Sequence, residues 1–189
     1  MGFDAKLKKN VNQIATLEFS SERKMMSTLV TNYRNEKDLL IKGAPDRVIA
    51  NCTKFMSLGN QVHSMTSQAR AQILQHVEDL SLQSLRVIAI AEVPNGGKLA
   101  LLTNENKYKV LEDPKKYADF ETEAVFIGLV GIKDPVRPEV KPAIADCKTA
   151  GIRVIMITGD SKETATAIAQ ELEILEPGQS LTDSVFTGT

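Results

Sequence analysis

The chain has 189 residues, 42% hydrophobic and 25% charged, the make-up of an ordinary soluble globular protein with room for one large or two small domains. Its 23 Lys and Arg against 24 Asp and Glu exclude a global basic field for nucleic acid or an anionic membrane, and aromatics at 5% with no Trp argue against a stacking platform for single strands. Cys52 and Cys147 lie far apart and His63 and His76 have no ligand-like neighbours, which argues against a zinc-type cluster and for two reduced, buried thiols.

"IATLEF" (14–19) and "KMMSTLVTNY" (24–33) read as neighbouring strands, with Met26, Thr28 and Val30 alternating against Met25, Ser27 and Leu29. "DLLIKG" (38–43) is a third strand, joined to the second by a hairpin through 34–38. Pro45 suits the first turn of a helix whose apolar face is Val48, Ile49 and Cys52. A longer helix follows, capped by Ser64 or Thr66, with Ile73, Leu74, Val77 and Leu80 on one stripe. "SLRVIAIAEV" (84–93) is a nearly continuous apolar strand, expected to be buried on both sides, and "PNGGK" (94–98) is a turn. Residues 104–123 are polar and give no clear element.

From Ala124 the pattern becomes strand, helix, strand, helix: "AVFIGLVGIKD", 137–151 ending at Gly151, "IRVIMITGD", and "SKETATAIAQELEI". Continuous apolar strands in that alternation predict a parallel, doubly wound sheet. The stretch "AVFIGLVGI" is about half the length of a bilayer span.

Thr158-Gly159-Asp160 is expected at the carboxyl end of the second of these strands, where doubly wound sheets bind ligands. A glycine allows close approach, a threonine hydroxyl can donate to phosphate, and a helix N-terminus favours an anion. An ordinary strand-to-helix turn with Asp160 or Ser161 as N-cap fits the same residues. In "KDPVRPEV", Asp134 is held extended by the proline after it, and Arg137 projects from the same edge; a plain Asp-Pro turn fits as well. In the first part Lys24, Lys42 and Arg86 lie at or near strand positions, and Phe19 ends the first strand. One exposed ring with several cations suits a purine and a polyphosphate.

Together these stretches resemble the P-type ATPases, ion pumps that form an aspartyl-phosphate. The matching segments occur in family order: "TLEFSSERKMMS", "KGAPDRVIANC", "SLRVIAIA", "FIGLVGIKDPVRPEV" and "AGIRVIMITGDSKETATAIA". The wording is most similar to type II calcium pumps of the sarco/endoplasmic reticulum and secretory-pathway kind. The resemblance implies an α/β chain in two parts. Residues 1–123 would be most of a mixed nucleotide-binding domain with an antiparallel sheet. Residues 124–189 would be part of a phosphorylation domain with a haloacid-dehalogenase-like parallel sheet. It implies ATP as substrate with Mg2+. Phe19 would stack on adenine, Lys42 and Gly43 would line the pocket, and Lys24 and Arg86 would place base and phosphates. Asp134, Arg137, Thr158, Gly159 and Asp160 would border the catalytic centre, with Thr158 and Asp160 in the catalytic roles.

The motif after Lys42 carries Asp46 where the family has Glu, and Val136 replaces a proline between Asp134 and Arg137. Neither DKTGT nor TGDGxND occurs, so the resemblance implies a cytosolic fragment of a membrane pump. Such a fragment would bind ATP without turning it over, with the pump's other domains as partners and the membrane engaged only through them. A dehalogenase-like phosphatase would need a nucleophile such as Asp183 after an apolar strand, which "LTDSVFTGT" lacks. A nucleotide-sensing module without chemistry is the other alternative.

Overall fold

Alternation at the start of the chain resolves into an antiparallel meander of β1 (Asn12–Ser20), β2 (Met25–Tyr33) and β3 (Glu36–Gly43). The structure is a computed structural model that describes residues 11–33, 36–133, 135–176 and 178–187; of the predicted hairpin through 34–38, residues 34–35 lie outside them and 36–38 already belong to β3. β3 pairs antiparallel with β6 (Arg86–Val93). Cross-strand register then lines up two buried rows, Leu17–Ser27–Ile41–Ala91 and Ala15–Leu29–Leu39–Val93. Period-two alternation sends these residues to one face, and their burial is the main apolar stabilisation of the sheet.

The complete sheet has seven strands in the order β1-β2-β3-β6-β7-β4-β5, where β4 is Cys52–Met56, β5 is Val62–Ser64 and β7 is Ala124–Ile132. β7 runs parallel to β4, and β5 pairs antiparallel with β4, so the sheet is mixed and the fold is α/β. The predicted apolar strand at 124–132 therefore finds its parallel partner in β4, an element with little sequence signal because only Cys52 in it is buried. β6 is buried on its Ala89, Ala91, Val93 side, while Ile88 and Ile90 on the other are half-buried.

Two helices of the first half start where proline and hydroxyl caps predict. α1 (Pro45–Ala50) has its proline in the first turn and buries Val48 and Ile49. α2 (Ser67–Ser81) is capped by Thr66, whose hydroxyl accepts from Ala69 N at 3.1 Å. A 3₁₀ turn at Pro94–Leu99 carries left-handed Asn95, Gly96 and Gly97. The polar stretch after residue 104 holds two single-turn helices, α3 (Lys107–Val110) and α4 (Tyr117–Phe120).

The chain divides into two units, 1–72 with 88–130 and 73–87 with 131–189. The first contains nearly all of the sheet. In the second, α5 (Val140–Thr149) stops at left-handed Gly151, with Ile152 N donating to Cys147 O at 2.9 Å. The segment that follows α6 (Lys162–Glu171) is joined to α5 by Lys141–Glu173 at 2.8 Å and Lys148–Glu176 at 3.7 Å.

One predicted strand is absent. Residues 152–158 form no strand, and Ile152, Ile155 and Ile157 are exposed, Ile157 to 94%. A parallel strand needs ladder partners beside it and cover on both faces, and among the described residues none pairs with this run. Of the two cysteines, Cys52 is buried and Cys147 only half-buried; both are free.

Candidate functional site

In the first unit, the turn from β1 to β2 and the end of β3 form one sheet edge. Lys24 N donates to Ser20 O at 2.7 Å, closing the turn. Lys24 sits in the left-handed region at φ 54°, which a non-glycine residue holds only when its surroundings demand it. The demand comes from β3: Ala44 N donates to Lys24 O at 2.8 Å. Gly43 lies opposite Met25, and a Cβ there would stand 2.5 Å from both Lys24 O and the Met25 Cβ. Glycine is thus the residue that lets the two chains approach. Lys42 pairs with Met26 and Ile90 in register and is exposed.

Phe19 belongs to the same edge. Simple alternation from Ala15 and Leu17 would bury it. A register shift between Leu17 and Ser20 interrupts the alternation, and Phe19 is 60% exposed. Phe19, Lys24, Lys42 and Gly43 therefore lie close along the backbone at this end of the meander, with the ring and both lysines exposed. The edge is open surface. Two concavities of this unit, of about 550 and 380 Å³, are lined by other residues and include none of these four.

The second unit gathers Arg86, Thr158 and Asp160. Arg86 donates through Nε and Nη2 to Asp160 Oδ1 at 2.9 and 2.6 Å. Thr158 Oγ1 donates to Asp160 Oδ2 at 2.9 Å and accepts from Asp160 N at 3.1 Å. Partial burial pushes the Asp160 carboxyl up, but hydrogen bonds from Arg86 and Thr158 and the Arg86 charge outweigh it and hold the group below the usual aspartate value of 3.8. Ser161 is the N-cap of α6, accepting from Thr164 N at 3.3 Å, which leaves Asp160 to its charged partner.

Other candidates stand apart from these contacts. Gly159 meets no atom within 4 Å of an added Cβ, so no packing in this unit requires glycine there. Arg137 is exposed, with its carbonyl accepting from Val140 N at 3.0 Å. Asp134 lies outside the described residues.

Sequence reasoning missed one feature of the first unit. Glu121, from the unassigned polar stretch, is fully buried and takes one guanidinium nitrogen of Arg23 on both oxygens at 2.6 Å. Ser27 Oγ donates to Glu121 Oε1 at 2.7 Å. The only signal available was a polar residue in a buried strand row, Ser27, which needs a partner. Elsewhere, burial pushes the Cys52 thiol up to about 12 although the Arg70 charge opposes it, so this thiol is a core group without nucleophilic character.

Comparison with known proteins agrees with the sequence resemblance. The family model described as P-type ATPase, cytoplasmic domain N matches residues 1–139. The chain is 38% identical over 179 residues to calcium-transporting ATPase 4, endoplasmic reticulum-type, of Arabidopsis thaliana, covering 93% of this chain and 17% of that protein. It is 40% identical over 170 residues to calcium-transporting ATPase 1 of Bacillus cereus, covering 90% and 17%. It is 36% identical over 176 residues to the endoplasmic reticulum calcium ATPase srcA of Aspergillus fumigatus, covering 93% and 17%. The chain thus spans about 17% of the length of these relatives.

Proposed function

The chain belongs to the family of P-type ATPase cytoplasmic N domains, and from that premise we propose that it holds ATP for phosphoryl transfer in a cation pump that moves calcium. The observation that carries the reading is the edge of Phe19, Lys24, Lys42 and Gly43, tied by the Ala44 N to Lys24 O bond of 2.8 Å. An exposed ring offers a face to adenine, and two ammonium groups neutralise phosphate charge. Gly43 keeps side-chain bulk away from the close approach. In this reading residues 1–123 are most of the nucleotide-binding domain and 124–189 part of the phosphorylation domain.

Arg86 helps place the base and phosphates, Arg137 borders the catalytic centre, and Thr158 contacts the transferring phosphoryl group. Asp160, already charged and oriented by Arg86 and Thr158, helps position the nucleotide. Gly159 borders the same centre, and Asp134, given the same role by the resemblance, lies outside the described residues. The acceptor aspartate lies outside these 189 residues, since no DKTGT occurs in them. Transfer of this kind rests on positioning and charge neutralisation. Mg2+ would accompany the nucleotide. Among the described residues no group of three His, Cys, Asp or Glu is placed to hold a metal ion. The names of the relatives favour calcium as the ion and the endoplasmic reticulum as the location. The partners are the pump's other domains, which also carry its membrane contact. Among the described residues no helix is long and apolar enough to cross a membrane.

Calorimetric titration with MgATP tests the reading. The expected Kd is roughly 10⁻⁴ to 10⁻³ M, with heat lost in Phe19→Ala. A folded chain that gives no heat, or a Phe19→Ala variant that binds as well as the parent, would contradict it.

A further inference from the structure

We propose that Arg23 and Glu121 are positioning residues that aim Phe19 and Lys24 at the nucleotide, an inference that rests on the reading above. Arg23 lies within the turn, directly before Lys24. One of its guanidinium nitrogens holds both oxygens of Glu121 at 2.6 Å across 98 residues of sequence. The other terminal nitrogen donates to Glu18 O, the carbonyl directly before Phe19. Arg23 N donates to Ser20 Oγ at 3.2 Å, directly after Phe19. The guanidinium also lies over the Tyr117 ring, 5.3 Å from its centroid.

Arg23 is therefore bonded on both sides of Phe19, through its guanidinium to the Glu18 carbonyl and through its backbone N–H to the Ser20 hydroxyl, and the guanidinium is held in turn by a buried carboxylate. Glu121 is wholly buried and is itself fixed by Ser27 in a core strand, and the Arg23 side chain is only 8% exposed. A pair that served stability alone could sit anywhere in the core. This one is bonded to the residues flanking the exposed ring, in a turn whose lysine is held left-handed. The fork geometry of arginine is what allows two acceptors to be held at once; a lysine ammonium would reach only one of them with the same orientation.

The test compares the parent chain with Arg23→Lys and with the double variant Arg23→Gln/Glu121→Gln. Arg23→Lys keeps a charge opposite Glu121 but loses the fork. The double variant replaces the ion pair by two neutral amides, so no buried charge is left unpaired, and it decides the matter if Arg23→Lys fails to fold. Three quantities are measured: thermal stability, the amide shifts of Phe19 and Lys24 without ligand, and the Kd for MgATP. The expected result is a folded protein whose Phe19 and Lys24 amides move before ligand is added and whose Kd rises about tenfold. Folded variants with a Kd within about twofold of the parent would overturn the proposal whatever their amide shifts, because a substitution at Arg23 moves the neighbouring Lys24 amide even when the pair is purely structural. A parent chain that does not bind MgATP would instead defeat the nucleotide reading, and this inference with it.

Discussion

The two regions that carry the candidate residues are held by opposite means. At the β1–β2 edge, position is set by backbone: the Lys24 N to Ser20 O and Ala44 N to Lys24 O bonds, and a glycine at the crossing. At Thr158–Asp160 it is set by side chains, with Arg86 and Thr158 clasping one carboxylate on a segment that belongs to no strand. Backbone placement survives most substitutions of the side chains it displays. Side-chain placement is lost with any one partner. The first region is a scaffold that presents exchangeable groups; the second is a small charge network whose parts depend on one another.

That contrast can be broken most forcefully at Glu121. Removing one member of a buried ion pair leaves the other charge uncompensated, so Glu121→Ala is expected to cost about 3–5 kcal/mol in urea unfolding. Gly43→Ala sharpens the comparison in the same unit. Its new Cβ would meet Lys24 O and Met25 Cβ at 2.5 Å, so the edge must open, at about 1–3 kcal/mol by the same measurement and with displaced Lys24 and Ala44 amides. In the second unit, Ser161→Ala removes the N-cap of α6 and should cost about 1 kcal/mol, seen as faster amide exchange in the first turn of that helix.

The smallest effect is that of pH on the Arg86–Asp160 pair. The folded carboxyl lies below its ordinary value of 3.8. The pair's contribution is therefore fully present above about pH 4 and is lost as pH falls through the depressed value. Arg86 is 61% exposed, so the gain is that of an exposed pair, about 0.2–1 kcal/mol. Carbon-detected titration of Asp160 should show the depressed midpoint in the parent and a return toward the ordinary value in Arg86→Gln.

Much of the first unit was legible because its strands advertise themselves. The alternation of Met25, Ser27 and Leu29 against Met26, Thr28 and Val30 gives the period but only part of the face, since both sets hold apolar residues and Val30 is buried as well as Met25 and Leu29. The lysine and glycine before Pro45 marked the strand end, and β3 ends at Gly43. Phe19 was also legible as an exposed ring, although the register shift that exposes it was not, since a bulge leaves no local pattern in "TLEFSS". Glu121 was invisible for a different reason: its partner is 98 residues away, and neither sits in a periodic run. The run at 152–158 illustrates the reverse failure. Its β-branched apolar residues state a preference for extended backbone, but a strand is a relation between segments, and among the described residues no neighbour pairs with it. β7 shows the same rule satisfied, because β4 supplies the parallel ladder that its composition called for.

The account stands or falls on the edge formed by Phe19, Lys24, Lys42 and Gly43. Its most direct test is an amide NMR titration of the chain with MgATP. The predicted result is a saturable set of shifts centred on those four residues and extending to Ser20 and Ala44, abolished in Phe19→Ala while that variant keeps the dispersion of a folded protein. A well-dispersed parent spectrum in which these amides stay still while others move, or in which nothing moves at millimolar nucleotide, would contradict it.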